Sequence, residues 1–281
     1  MPETSLGWSD FISGWELFRD PVLCGVLAGT ALGLLGVYIV LRRVVFVAAV
    51  LSQSAGLGVA LAFLAGMHLD MHVEPMIGAV VMCLLATLLV SLRPERIHLS
   101  REAILGTAWV GANAAAIIVG DMISVESHDI SSILFGSAVL VRPVDLYLVA
   151  GAACLAVAAH AFLRRGLVFT AFDHDVAQVQ GLPVRVLDLT VWLVVALTVS
   201  VATRALGALP VFAFSVLPAL AALLSLRSLT WAFPAAALFG ALAGGAGYIL
   251  AFFQSWPVGP SQVVVALVLV GGGLVVRQIR D

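Results

Sequence analysis

The sequence has 281 residues and contains no lysine, so all 14 of its basic residues are arginine. Charged residues make up 11% of the chain and the formal net charge is −2, which gives no indication of a nucleic-acid partner. The apolar stretches lack the paired carboxylates and histidine relays that proton- or sodium-coupled pumps usually place in the membrane. A Walker A sequence is also missing, so we expect no P-loop nucleotide hydrolysis by this chain. Any energy source is therefore expected on another protein.

The three cysteines are too widely spaced to predict a disulfide framework or a metal site. Cys24, Cys83 and Cys154 each lie within an apolar run, and small buried apolar residues are the simpler interpretation. We therefore expect this chain to bind no cofactor of its own.

What the sequence has in abundance is apolar surface. Hydrophobic residues make up 62% of the chain, and the mean hydropathy is +1.12, a composition that lipid can cover and a soluble core cannot. Beta-barrel alternation is missing, so the spans should be helical. We predict an all-α, polytopic membrane protein with a bundle of eight or nine transmembrane helices. The nine candidate spans are 20–41, 46–66, 75–92, 103–123, 144–163, 187–206, 209–226, 231–252 and 260–276.

The linkers between these spans are short, which predicts a single transmembrane domain over residues 19–281. Residues 1–18 precede it. Their aromatic and aliphatic side chains alternate with polar ones, a pattern typical of a segment lying at the membrane interface.

The distribution of arginine predicts the orientation. With the N-terminus outside and the C-terminus cytoplasmic, only Arg19, Arg142 and Arg204 fall outside. The other arginines, which fall inside, are Arg42, Arg43, Arg93, Arg96, Arg101, Arg164, Arg165, Arg185, Arg227, Arg277 and Arg280. Eleven against three follows the positive-inside rule.

Residues 172–181 (FDHDVAQVQG) form a short polar segment between two spans, within a cytoplasmic stretch of 164–186. Asp173 or Asp175 can cap a helix start and Gly181 can end the helix. A helix of one or two turns is not stable alone. We therefore predict that the segment, including Phe172 and Ala177, docks into a soluble partner.

Pro218 lies inside the seventh predicted span. A proline there leaves the carbonyl of Phe214 without its usual donor, and the resulting kink could line a transport pathway. A purely structural kink is the alternative interpretation.

Four ordered sets of motifs give the chain a specific resemblance. They are LRRVVF (41–46) with LSQSAGLG (51–58); DISSILFG (129–136); FDHDVAQVQG (172–181); and LGAL (206–209) through LPA (217–219) with WPVGPS (256–261). The chain resembles the permease subunit of the zinc/manganese/iron family of ABC importers. The resemblance implies a type II-like importer permease in the bacterial inner membrane, a pair of cytoplasmic ATPase subunits that bind ATP, and an external metal-binding delivery protein. It also implies a second permease copy, for which we expect a homodimer.

The sequence departs from this family at one functional position. The second span of the family typically carries Asp and His four residues apart, on one helix face. The matching residues here are Ala49, which cannot ligate, and Gln53, which offers a neutral amide oxygen. The ion then either passes weakly or takes ligands from elsewhere, or the cargo is not a bare ion.

An external loop offers other ligands. His68, Asp70, His72 and Glu74 alternate, so an extended backbone would place them on one side. Imidazole and carboxylate suit zinc or manganese. This loop either gathers metal at the entrance or is a solvated connection.

We interpret the chain as the membrane subunit of an ATP-driven importer of divalent metal, with zinc as the first expectation and manganese or iron next. The alternatives are a non-transporting or degenerate partner in a heteromeric complex, and an importer of a metal chelate. A stand-alone secondary carrier is disfavoured by the uncharged spans.

Overall fold

The fold is an antiparallel bundle of long helices, as seen in a computed structural model that describes residues 7–69, 73–91, 100–124 and 141–280. We number its helices in chain order. They are α1 (Trp8–Ser13), α2 (Trp15–Leu41), α3 (Val45–Leu69), α4 (Pro75–Ser91), α5 (Arg101–Ser124), α6 (Pro143–Phe172), α7 (His174–Val179), α8 (Val184–Leu206), α9 (Ala208–Phe214), α10 (Leu217–Ser225), α11 (Leu229–Gln254) and α12 (Val258–Arg280).

All nine predicted spans correspond to helical segments. Eight segments are long and apolar enough to cross a membrane, with α9 and α10 together forming one of them. The remaining segment is α4, whose 17 residues fall just short of the usual length of about 20. The predicted all-α class with eight or nine spans is confirmed.

Two helices extend beyond the boundaries predicted for the spans. Helix α6 has 30 residues and ends at Phe172 rather than near residue 163, so Arg164 and Arg165 lie within it. Helix α2 begins at Trp15 rather than after residue 18. The interfacial location of residues 1–18 stays a prediction, although part of this segment is seen as α1. In α1, Phe11 is buried against Phe252 with ring centroids 5.1 Å apart.

Helix α2 forms the centre of the bundle because its small residues allow backbones to approach. A Cβ at Gly29 would overlap the carbonyl of Gly240 in α11, and one at Gly25 would lie 3.3 Å from the carbonyl of Gly244. These contacts are within one chain. The glycine spacing in α2 and α11 therefore serves intrachain packing, in the manner of close-packed membrane helices.

Polar contacts join helix ends at both ends of the bundle. Their positions agree with successive helices that cross the membrane in opposite directions. At one end, Arg42 after α2 donates to Asp188 at the start of α8, with Nη1 and Oδ1 2.7 Å apart. At the other end, Arg142 before α6 donates to Glu74 before α4 over 2.7 Å. The predicted inside and outside residues are thus separated to opposite ends of the bundle at these contacts.

The seventh span is broken rather than kinked. Helix α9 ends at Phe214 and α10 begins at Leu217, with Pro218 in the first turn of α10. The first turn is where a missing amide hydrogen costs least. Helix α2 lies directly against the break, because a Cβ at Gly36 would come within 2.5 Å of the carbonyl oxygen of Ser215.

Candidate coupling and transport sites

The short helix α7 is capped at both ends by local hydrogen bonds. The Asp173 side chain accepts from the amide of Val176 at 2.9 Å, so Asp173 rather than Asp175 is the N-cap. Gly181 closes the helix with a φ of +77°. The amide of Leu182 donates to the carbonyl of Ala177 at 3.1 Å, which is the bond of a Schellman ending.

One side of α7 is packed against the bundle and the other is free. Ala177 is fully buried, whereas Phe172 is 66% exposed, Val176 43% and Val179 88%. Asp173 and Asp175 are also exposed. An exposed apolar cluster beside acidic side chains is typical of a protein-docking surface. We call Phe172, Val176 and Val179 the apolar tip.

Sequence reasoning found Phe172 but missed the two valines of the apolar tip. Val176 and Val179 are three residues apart, a spacing that places side chains on one face of a helix. That signal was present in the sequence.

An ion pair joins the ends of the helices next to α7. Arg42 donates to Asp188 at 2.7 Å and to the hydroxyl of Thr170 at 3.2 Å, and its guanidinium carbon lies 5.9 Å from the ring centroid of Trp192. The side chain of Arg42 is 11% exposed and that of Asp188 25%. One arginine therefore joins the ends of α2, α6 and α8 around the segment that carries α7. Sequence reasoning did not predict this contact.

Helix α3 presents no strong metal ligands at the two predicted positions. Ala49 is buried, with 3% exposure, and Gln53, one turn later, is half-buried. The Gln53 amide forms no hydrogen bond with another residue in the described part of the chain. A neutral amide is a weak ligand for a transition metal.

The outer loop is only partly described. Asp70 and His72 lie outside the described residues, as does the 129–136 motif. His68 is exposed at the end of α3. Glu74 is already paired with Arg142, and its hydrogen bond, followed by that of Asp145, raises the pKa of Arg142. Metal binding by this loop stays a prediction.

Arg142 belongs to a wider set of charges at the same end. Asp145 in the first turn of α6 is fully buried and lies 3.3 Å from Arg142 and 3.9 Å from Arg204. Two cations thus compensate one buried carboxylate and link α6 to the end of α8.

Phe214 and Pro218 border the helix break described above. Phe214 is fully buried and Pro218 is buried, so neither side chain faces solvent in this conformation. A role for these two residues in a transport pathway stays a prediction.

Comparison with known proteins decides the family. Residues 15–276 match the ABC 3 transport family. The chain belongs to this family. The manganese import system permease protein ScaB of Streptococcus parasanguinis is 25% identical, covering 92% of this chain and 91% of ScaB. The high-affinity zinc uptake system membrane protein ZnuB of Buchnera aphidicola subsp. Schizaphis graminum is 27% identical, covering 89% and 94%.

The fold of this ABC 3 family member is also shared with a solved structure. PsaBC from Streptococcus pneumoniae in complex with Fab superimposes with a TM-score of 0.83 at 23% identity, covering 97% of this chain and 99% of that one. The resemblance drawn from the motifs is confirmed at the level of the family. The protein is a multi-pass membrane protein of a transport family.

Proposed function

We propose that this chain is the membrane-spanning subunit of an ATP-driven importer of divalent metal ions. The observation that carries the proposal is the capped helix α7 with its apolar tip, set between two spans of an ABC 3 family member. The names of ScaB and ZnuB, which refer to manganese import and zinc uptake, support the class of cargo. A pair of separate ATPase subunits would bind the ATP, and an external protein would deliver the ion.

The geometry suggests how force would enter the membrane. A partner holding the apolar tip would push on α7, which rests on the bundle through the buried Ala177. The Arg42–Asp188 contact would pass that displacement to the ends of α2 and α8 together. The helices could then rock between outward- and inward-open states, a movement of packed elements rather than local unfolding.

The cargo is handled by weak ligands in this proposal. Gln53 contributes one neutral oxygen and Ala49 none, so the ion would be passed on rather than held tightly at α3. Zinc remains our first expectation, followed by manganese and iron. A second copy of this chain would complete the pathway as a homodimer.

The decisive experiment is reconstitution of the chain with its ATPase partner in liposomes. We expect ATP-dependent uptake of zinc-65 or manganese-54 and ATPase activity that rises with the metal-loaded delivery protein. Uptake that persists without the ATPase would refute the proposal, and so would an ATPase rate that stays constant across a titration with metal. Parallel titrations of the two isotopes would identify the preferred ion.

The residues at positions 49 and 53 favour a second candidate, a degenerate partner in a heteromeric complex. The double substitution Ala49→Asp with Gln53→His restores two ligands one turn apart. A gain in metal binding and uptake indicates a transporter that has lost its site. Unchanged uptake of metal, with a correctly folded variant, indicates a cargo other than a bare ion. Ala49→Asp alone is the matched control, since it buries a carboxylate without its partner ligand.

A further inference from the structure

A cleft opens between α6 and α11 at the end of the bundle that carries α7. Both helices pack on α2, and residues of each helix line the cleft. The cleft has a volume of about 750 Å³, which is large enough for a small ligand or a lipid headgroup. Its floor is Phe233, which is almost completely buried and lies 4.9 Å from Tyr38 and 4.5 Å from His160 between ring centroids.

Two guanidinium groups line this aromatic cleft. Arg164 is half-buried and Arg165 is exposed, and both line the cavity together with Thr230 at the start of α11. Within the described residues, no carboxylate lies within ion-pair distance of either arginine. The cleft therefore presents two cations without an anion, which favours a phosphate-like ligand because guanidinium matches phosphate geometry.

The surroundings point to lipid rather than protein as the source of that anion. Phe162, which lines the cleft, is 87% exposed, and Trp231, the residue after Thr230, is 67% exposed. Exposed aromatic side chains of this kind are typical of surfaces in contact with interfacial lipid. Arg165 also lies seven residues before the end of α6 at Phe172, which is about 10 Å closer to the bundle centre. An ATPase that engages the apolar tip would thus stay beyond the level of the arginines.

We propose that this cleft binds the phosphate headgroup of an anionic phospholipid of the cytoplasmic leaflet. Arg164 and Arg165 hold the phosphate, Thr230 offers a hydroxyl, and the acyl chains run along the exposed apolar sides of α6 and α11. Basic pockets between transmembrane helices are known to bind such headgroups. The leaflet follows from the arginine bias, and the site is independent of which metal the protein carries.

The test measures lipid retention by the purified full chain with native mass spectrometry and lipid titration in detergent. The double variant Arg164→Gln with Arg165→Gln should bind phosphatidylglycerol about 30-fold more weakly than the unmodified protein, the loss of two surface cations. Phosphatidylcholine should bind weakly to both. Arg185→Gln is the matched control, because Arg185 is an exposed arginine at the same end of the bundle but outside the cleft. It should retain the lipid.

A second variant guards against misfolding of the first. Thr230→Phe removes the hydroxyl and places a bulkier side chain in the cleft without changing charge, so it should also bind phosphatidylglycerol more weakly while keeping a monodisperse elution profile. Equal retention of phosphatidylglycerol by all variants overturns the proposal. Displacement by millimolar inorganic phosphate would assign a free-phosphate site instead. If the arginine variant keeps its lipid and loses affinity for the ATPase subunit, the cleft is a protein contact and the proposal is wrong.

Discussion

Breaking the Arg42–Asp188 ion pair should destabilise the end of the bundle that carries α7. A hydrogen bond to a charged group contributes about 1.5–3 kcal/mol. The carboxylate is 25% exposed, and screening by solvent reduces that figure to about 1–2 kcal/mol. Asp188→Ala should be the more damaging single change because it leaves a largely buried guanidinium without its carboxylate. Arg42→Met removes the buried charge and keeps the apolar stem.

A double-mutant cycle isolates the pair. Free energies of unfolding would be measured by denaturant titration in mixed micelles for the unmodified protein, both single variants and the double variant. Any other contact of Asp188 is lost in both the single and the double variant, so it cancels. We expect a coupling energy of about 1–2 kcal/mol, and transport per ATP hydrolysed should fall in Asp188→Ala.

The neighbouring arginine supplies the control. Arg43 is exposed and has a φ of +56°, a conformation that asparagine tolerates. Arg43→Asn thus removes one charge from the same turn, and its effect should stay within about 0.5 kcal/mol. Additive effects of Arg42→Met and Asp188→Ala, to within about 0.5 kcal/mol, would refute the anchoring role.

Three further predictions concern other parts of the chain. Gly181→Val forces a branched residue into the left-handed region at a cost of about 1–2 kcal/mol, and it should uncouple ATPase activity from uptake. Gly181→Asn is the control and should leave the two coupled. Equal coupling in both variants would contradict the role of the turn. Gly29→Val should lower the unfolding free energy by about 1–3 kcal/mol through overpacking. Gly106→Val is the control and should have a small effect, because a Cβ at Gly106 meets open space. Similar losses of unfolding free energy in both variants would count against the close contact at Gly29. Alanine at His68 and His72 should lower uptake only at scarce metal, and a metal titration with unchanged uptake would rule out gathering by the loop.

The fold could be predicted from the sequence because lipid imposes a simple requirement on composition. Each span needs about 20 apolar residues, and the nine apolar stretches predicted on that basis all correspond to helical segments in the described part of the structure. Helix α6 extends beyond the predicted span 144–163, whose end was set by Arg164 and Arg165. Long arginine side chains can reach the interface from within a helix, and no residue between them and Phe172 breaks the helix.

The candidate site was only partly predictable for a different reason. The cap and the turn at Gly181 depend on neighbouring residues, so the sequence pattern indicates both, with the structure deciding for Asp173 over Asp175 as the cap. The Arg42–Asp188 contact joins residues 146 positions apart, and nothing local to either residue predicts it. The sequence indicates that the seventh span is disturbed near Pro218. Whether the helix kinks or breaks there depends on how α2 packs against Ser215, which lies far from α2 in sequence.

The backbone contacts between α2 and α11 have a mechanical consequence. Where the carbonyl of Gly240 fills the space that a side chain would need at Gly29, the two helices have no room to slide or rotate past each other. We expect them to behave as one rigid spine through every stage of a working cycle. A disulfide engineered across this seam should therefore leave turnover intact, and the moving parts should be sought among the helices that surround it.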